Sequence, residues 1–260
     1  MSIAPDPQDI YERAKTEGRR RMQQPPLEQS ATGFIAGVTI MFGIVALGVV
    51  AALLEPRFGP EVAKLGGALA FGVGLVFLIV GRSELFSENF FDPIAAAIDE
   101  EGNGVWGRLG RLWVATLVLN LVGGAILGGI MTVEGALPAG AAEALVKAAE
   151  EIADKAWMAT LARAVLAGAL VALLSYMLLA TNTVAARILV AYMVGVVLAL
   201  GPFDHVVVSV LHLLMGVWLG DVAAGAVAHN LAISTLGNVL GGVLLITLTH
   251  TAQVRSAERS

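Results

Sequence analysis

Gly81-Arg82-Ser83-Glu84-Leu85-Phe86-Ser87-Glu88-Asn89 and Gly201-Pro202-Phe203-Asp204-His205 each interrupt a long apolar run near its middle. The interruption recurs with its surroundings. Asn120-Leu121-Val122-Gly123-Gly124 begins 36 residues after Glu84, and Asn238-Val239-Leu240-Gly241-Gly242 begins 34 residues after Asp204. At membrane depth, irregular backbone survives only where protein or a water-filled path satisfies its N–H and C=O groups. Paired breaks of this kind therefore point to a chain that carries something across a bilayer.

The composition agrees. Hydrophobic residues make up 57% and charged residues 14%, and the mean hydropathy is +0.79, far from the charge content of a soluble domain of this size. Cysteine is absent, which removes disulfides, thiolate nucleophiles, iron–sulfur clusters and cysteine zinc sites. The glycine-rich segments lie inside apolar runs with no preceding strand and no following Lys-Ser/Thr, so neither a nucleotide cofactor nor nucleic-acid binding is expected. The first ~30 residues are too long and polar for the front of a signal peptide, and a retained first span is expected.

A bilayer core needs about 20 apolar residues per helix. Six runs qualify: Ala31 to Leu54, Leu65 to Phe91 (broken), Leu112 to Thr132, Ala156 to Ala180, Val184 to Leu219 (broken) and Val222 to His250. The expected fold is an all-α polytopic membrane protein. It comprises a cytoplasmic amphipathic segment (1–30), a six-helix channel domain (31–250) and a cytoplasmic tail (251–260). With the N-terminus inside, ten Lys and Arg fall on the cytoplasmic side and four (Arg57, Lys64, Lys147, Lys155) outside, which places both termini in the cytoplasm. Three spans per half forces the second half to enter from the opposite face. The repeat is then inverted, 3+3, with broken second and fifth helices.

Ile10 to Met22 has the charge mix of a surface helix stopped by Pro25-Pro26, lying on the cytoplasmic face or against a neighbour. Val133 to Asp154 reads as an external connector with a short helix. Gly33 with Gly37 and Gly124 with Gly128 form small-xxx-small patterns, which serve close helix packing.

Ionisable residues at membrane depth carry the functional argument, since each costs a few kcal/mol if left in lipid. They are Arg82, Glu84 and Glu88 in the first break, Arg163 in the fourth span, Asp204, His205 and His212 around the second break, and His229 in the sixth span. Arg82 is expected to pin the first break by pairing with Glu84 or Glu88, and Arg163 to pair with a carboxylate of another span. His205 restarts a helix beyond Gly201-Pro202. Helix N-termini favour anions, and an imidazole there donates a hydrogen bond or a proton near neutral pH. His212, seven residues on, falls near the same helical face.

The chain resembles the formate/nitrite transporter family. The resemblance is carried by Phe71-Gly72-Val73-Gly74-Leu75, Glu84-Leu85-Phe86-Ser87, Asn120-Leu121-Val122-Gly123-Gly124, Gly201-Pro202-Phe203-Asp204-His205 and Leu236-Gly237-Asn238-Val239-Leu240-Gly241-Gly242. It implies a homopentamer of aquaporin-like protomers in the bacterial inner membrane, each with its own pore for a small anion or its conjugate weak acid. By the same resemblance, His205 is the central pore histidine and Lys155 the lysine that draws anions into the external vestibule. Phe71, Leu85 and Leu198 are the apolar constrictions, and Ser87 is the hydroxyl of the first break, with Asp204 beside the histidine. The chain departs from the family at Arg82, at Glu88, and at Ala172 where the well-known members carry Asn, as a divergent branch would.

Three other readings compete with the anion pore: a pore for a small cation or neutral solute, suggested by Glu84, Glu88 and Asp204; a non-conducting sensor or scaffold; and an intramembrane enzyme with His205, His212, Asp204 and His229 as metal ligands. The last lacks the i, i+4 spacing of a helical metalloprotease and any visible nucleophile. No enzyme, metal or cofactor is therefore expected.

Overall fold

The computed structural model describes residues 5–100, 102 and 104–257, and its regular structure is helical. Helix α1 (Pro7–Met22) starts where the Asp6 side chain accepts a hydrogen bond from the Asp9 N–H at 2.9 Å and Pro7 occupies the first turn. It buries Ile10, Tyr11, Ala14, Gly18 and Met22, a stripe at helical spacing, and ends with Arg19, Arg20 and Arg21 in its last turn. The amphipathic segment thus packs on its own chain.

Helix α2 runs from Pro26 to Val80 with one non-helical residue, Gly59, at φ 81. At 1.5 Å per residue an unbent α2 would far exceed a bilayer. Instead it folds back: Gly43 lies against Phe71 and Gly74, and Gly67 against Leu47. Glycine at the reversal supplies the left-handed backbone that other residues resist. The first two expected spans are therefore the arms of one helical hairpin. The first arm begins at Pro26 rather than Ala31 and continues past Leu54.

After Val80 the helix is interrupted. Arg82 takes φ 54, Phe86–Phe90 forms a single 3-10 segment, and α3 (Asp92–Asp99) follows. Helix α4 (Val105–Met131) begins before the expected Leu112. The connector holds α5 (Ala141–Ala153), and α6 spans Trp157–Leu179. The second interruption separates α7 (Val184–Leu200) from α8 (Val206–Leu219). Helix α9 (Ala224–Leu240) runs through a π-helical stretch, Gly241–Thr247, into α10 (Leu248–Ala257), so helix continues beyond His250.

Among the described residues four helices are long and apolar enough to cross a membrane: α2, α4, α6 and the continuous Ala224–Ala257; α7 and α8 are shorter and apolar. The buried core gathers Phe71, Leu75, Leu78, Leu85, Leu198 and Val207 where α2, α7 and α8 meet the two interruptions. Phe77, Val118, Ile126, Leu189 and Leu236 stay exposed on the outside, the arrangement expected where solvent is lipid.

Candidate functional site

The two interruptions are held by the same hydrogen bonds. In the first, the Glu84 N–H donates to Thr32 O (3.3 Å), and Asn120 Nδ2 donates to Gly33 O (2.8 Å) and Glu84 O (2.9 Å) while its Oδ1 accepts from the Phe86 N–H (2.9 Å). In the second, the Asp204 N–H donates to Arg163 O (3.2 Å). There Asn238 Nδ2 donates to Ala164 O (2.8 Å) and Asp204 O (3.0 Å), and its Oδ1 accepts from the Val206 N–H (2.8 Å). One buried amide in each half thus replaces the backbone partners that a continuous helix would have supplied. Both asparagines are fully buried, and glycine lets a neighbouring helix approach their backbones, Gly37 at Asn120 and Gly168 at Asn238.

Between the interruptions His205 and Ser87 meet. Ser87 Oγ lies within hydrogen-bond distance of His205 Nε2, across 118 residues of sequence. His205 is also the N-cap of α8, its Nδ1 accepting from the Val208 N–H at 3.5 Å. With Nδ1 as acceptor, the neutral ring carries its proton on Nε2 and donates to Ser87 Oγ. Both residues are buried, and the expected constriction residues Phe71, Leu85 and Leu198 belong to one apolar core cluster that also holds their chain neighbours Phe86 and Val206. His212 is buried too but is engaged through Nδ1 with Val208 O at 3.0 Å, and His229 is exposed on α9.

Beside His205, the Asp204 carboxylate is held by Lys155 through one oxygen and lies 3.5 Å from Arg163 through the other. Arg163 thus finds the carboxylate expected for it. Lys155 is anchored rather than free, with 13% of its side chain exposed against 2% for Asp204. Two cations thus meet the Asp204 carboxylate, with Glu151 adding a further negative charge near Lys155.

At the other interruption the expected pairing fails. Arg82 is exposed and bonds neither Glu84 nor Glu88. Its backbone takes the left-handed φ of 54. Glu84 instead accepts from Gln24 Nε2 (2.7 Å) and pairs with Arg20 (3.2 Å), while Glu88 caps the 3-10 segment by accepting from the Leu85 N–H (3.1 Å). Arg21 reaches Asn89 Oδ1 (3.2 Å) and Asp92 (3.5 Å). Glu17 draws Arg20 and Arg21 together. Burial works to raise its carboxyl, but the Arg20 hydrogen bonds and the Arg21 and Arg20 charges outweigh it and hold Glu17 at about 2. For Arg21, burial opposes the charge, and the facing carboxylates of Asp92, Glu84, Glu88 and Glu17 prevail and raise it. These groups line a cavity of about 680 Å³. Sequence reading missed the contribution of α1. The available signal was the Arg19-Arg20-Arg21 run, close to a break with more carboxylates than cations.

The family profile described as formate/nitrite transporter matches residues 8–252. The chain belongs to the formate/nitrite transporter family. It is accordingly a membrane channel or transporter and not an enzyme. It is similar to inner membrane protein YfdC of Escherichia coli K12, 25% identical over 95% of this chain and 78% of the relative. Its fold is similar to that of an FNT family ion channel, with a TM-score of 0.81 at 21% identity over 94% of this chain and 98% of the other. A pentameric formate channel with formate bound also shares the fold, with a TM-score of 0.70 at 18% identity over 87% of this chain and 96% of the other.

Proposed function

We propose that this protein passes a small monovalent anion of the formate or nitrite class through a pore in each protomer, crossing the apolar centre as the conjugate weak acid. The observation that carries this reading is the Ser87–His205 contact, a buried hydrogen-bonding pair joining the two interruptions inside an apolar core. An ion stripped of water in such a core pays a large desolvation cost, whereas a neutral acid does not. Phe71, Leu85 and Leu198 act as the dry constrictions. Lys155 and Arg163, which meet Asp204, draw anions to one mouth. His205 then lends the proton or a hydrogen bond.

The matched sets of bonds at Asn120 and Asn238 support six spans arranged as an inverted 3+3 repeat with broken second and fifth helices. The two arms of α2 supply the first two spans. Both termini lie in the cytoplasm in this reading, the membrane is the bacterial inner membrane, as named for the YfdC relative, and the assembly is a homopentamer, as named for the formate channel.

The test is flux of formate, nitrite and acetate into proteoliposomes on both sides of neutrality, wild type beside His205→Ala. Flux that rises with acidity in the wild type and collapses in the variant is expected; a variant with full, pH-dependent flux overturns the role of His205. A second reading, a pore for a small cation or neutral solute, is favoured by the buried Glu84, Glu88 and Asp92 of the first break. A reversal potential that follows the cation gradient would select it.

A further inference from the structure

The α1 side of the molecule carries a second cavity, of about 730 Å³, between the end of α2, the end of α6 and the start of α7. Its size alone separates it from a formate-sized ligand. Three arginines line it: Arg13, Arg82 and Arg187. Arg13 is set into the wall, donating from one terminal nitrogen to Leu179 O and Asn182 Oδ1, both at 2.9 Å. Arg82 and Arg187 have no side-chain partner among the described residues, although each also borders the cavity at the first interruption. The cavity's own acids do not neutralise them. Glu12 is paired with Lys15 at 2.5 Å, and Glu17 is held by Arg20 and Arg21.

Arg82 is, among the described residues, the one non-glycine residue with positive φ. Strain of that kind persists where the surroundings demand it, and here it presents an unpaired guanidinium to a cavity. Thr183 caps α7 by accepting from the Ala186 N–H at 3.1 Å, so the N-terminal end of a 17-residue helix opens beside the arginines. Apolar surface leads away from the same rim: Val80 and Phe77 on α2 are 48% and 51% exposed, and Val184 and Leu189 on α7 are 64% and 58% exposed.

We propose that this cavity is a binding site for the phosphate group of an anionic phospholipid, gripped by Arg82 and Arg187 with Arg13 behind, its chains lying along the exposed faces of α2 and α7. Guanidinium forks match phosphate oxygens in two-point contacts, and basic pockets beside membrane spans hold anionic headgroups in this way. Adjoining apolar faces favour a lipid over free phosphate, which has no use for them.

The test is native mass spectrometry of the purified assembly, released from mixed micelles containing equal amounts of phosphatidylglycerol and phosphatidylcholine. The wild type is expected to retain phosphatidylglycerol preferentially, and Arg82→Gln/Arg187→Gln to lose about tenfold of that preference. Arg111→Gln, which removes an exposed charge at the start of α4, should keep it. If the double variant does not purify as the same assembly, Arg187→Gln alone carries the test, with a smaller loss expected. Equal retention by wild type and variant overturns the site. Competition by inorganic phosphate without any preference between the two lipids overturns the lipid in favour of a soluble phosphate ligand. A variant that keeps its lipid but changes its oligomeric state would make this an intersubunit contact instead.

Discussion

The two interruptions share a backbone solution and differ in everything attached to it. Each has an acid whose carbonyl is bonded by a buried asparagine, and each acid sits one residue before the centre. At the first, the next residue is Leu85 and the acid is met by Gln24 and by Arg20 from α1. At the second, the next residue is His205 and the acid is met by Lys155 and by Arg163 of α6. The comparison teaches that satisfying a broken helix requires one amide in one place, whereas charge and proton chemistry are free to differ between the copies. In the proposed reading, function resides in the asymmetry.

Substituting the two central residues is the sharpest way to break that comparison. His205→Ala should lower weak-acid flux by about 10²-fold, on the scale of a lost proton-transfer group. Leu85→Ala should leave the pH profile of flux intact while costing about 2–4 kcal/mol of stability through a new cavity. Matching pH profiles for the two variants in proteoliposomes would erase the distinction drawn here.

Next in size come the asparagines. Asn120→Ala and Asn238→Ala each orphan one carbonyl and one N–H of the break and remove a second bond from a carbonyl inside a neighbouring helix. Each should cost about 2–4 kcal/mol, allowing for the weaker net worth of such bonds in membranes. Thermal unfolding in detergent should show similar drops; a large drop for one and none for the other would mean the two breaks are not equivalent.

Neutralising the acids probes the part that differs. Asp204→Asn leaves Lys155 and Arg163 without the carboxylate they share and should cost about 2–3 kcal/mol. Glu84→Gln keeps a hydrogen bond to Gln24 and loses its pairing with a half-exposed Arg20 and its charge interaction with Arg21, which keeps Asp92, Glu88 and Glu17, so about 1 kcal/mol is expected. The order of the two melting temperatures checks it.

The smallest effect concerns the docking of α1 through Glu17. Its folded value of about 2 lies below its ordinary 4.5, so its contribution is complete above pH 4.5 and fades as pH falls toward 2. With 31% of the side chain exposed, screening limits that contribution to about 1 kcal/mol. Hydrogen-exchange protection in α1, taken relative to the intrinsic rate at each pH, should hold down to about pH 4.5 and fall below it; Glu17→Gln should remove the step.

Much of this was legible in the sequence because membrane constraints are blunt. Apolar run length gives helices, and polar residues within a run give breaks. The recurring Asn-Val/Leu-Gly-Gly spacing marked the residues that hold the breaks, and the pairing of Arg163 with a carboxylate followed from the cost of leaving it alone. The partner of Glu84 was not legible. Electrostatics names the sign a buried acid needs, not which segment supplies it, and Arg82, nearest in sequence, stays exposed and bonds neither acid of the break. The reversal at Gly59 falls in the gap expected between the first two spans; what the sequence did not show is that helix continues into that gap from both sides.

That reversal bears on how the chain is made. Gly59 joins the two arms of α2 with almost no connecting loop, so the second arm lies beside the first as soon as it has been translated. The first interruption, with its buried carboxylates, then follows directly behind an element that is already anchored, and the cations of α1 are the first partners synthesis has made available to it.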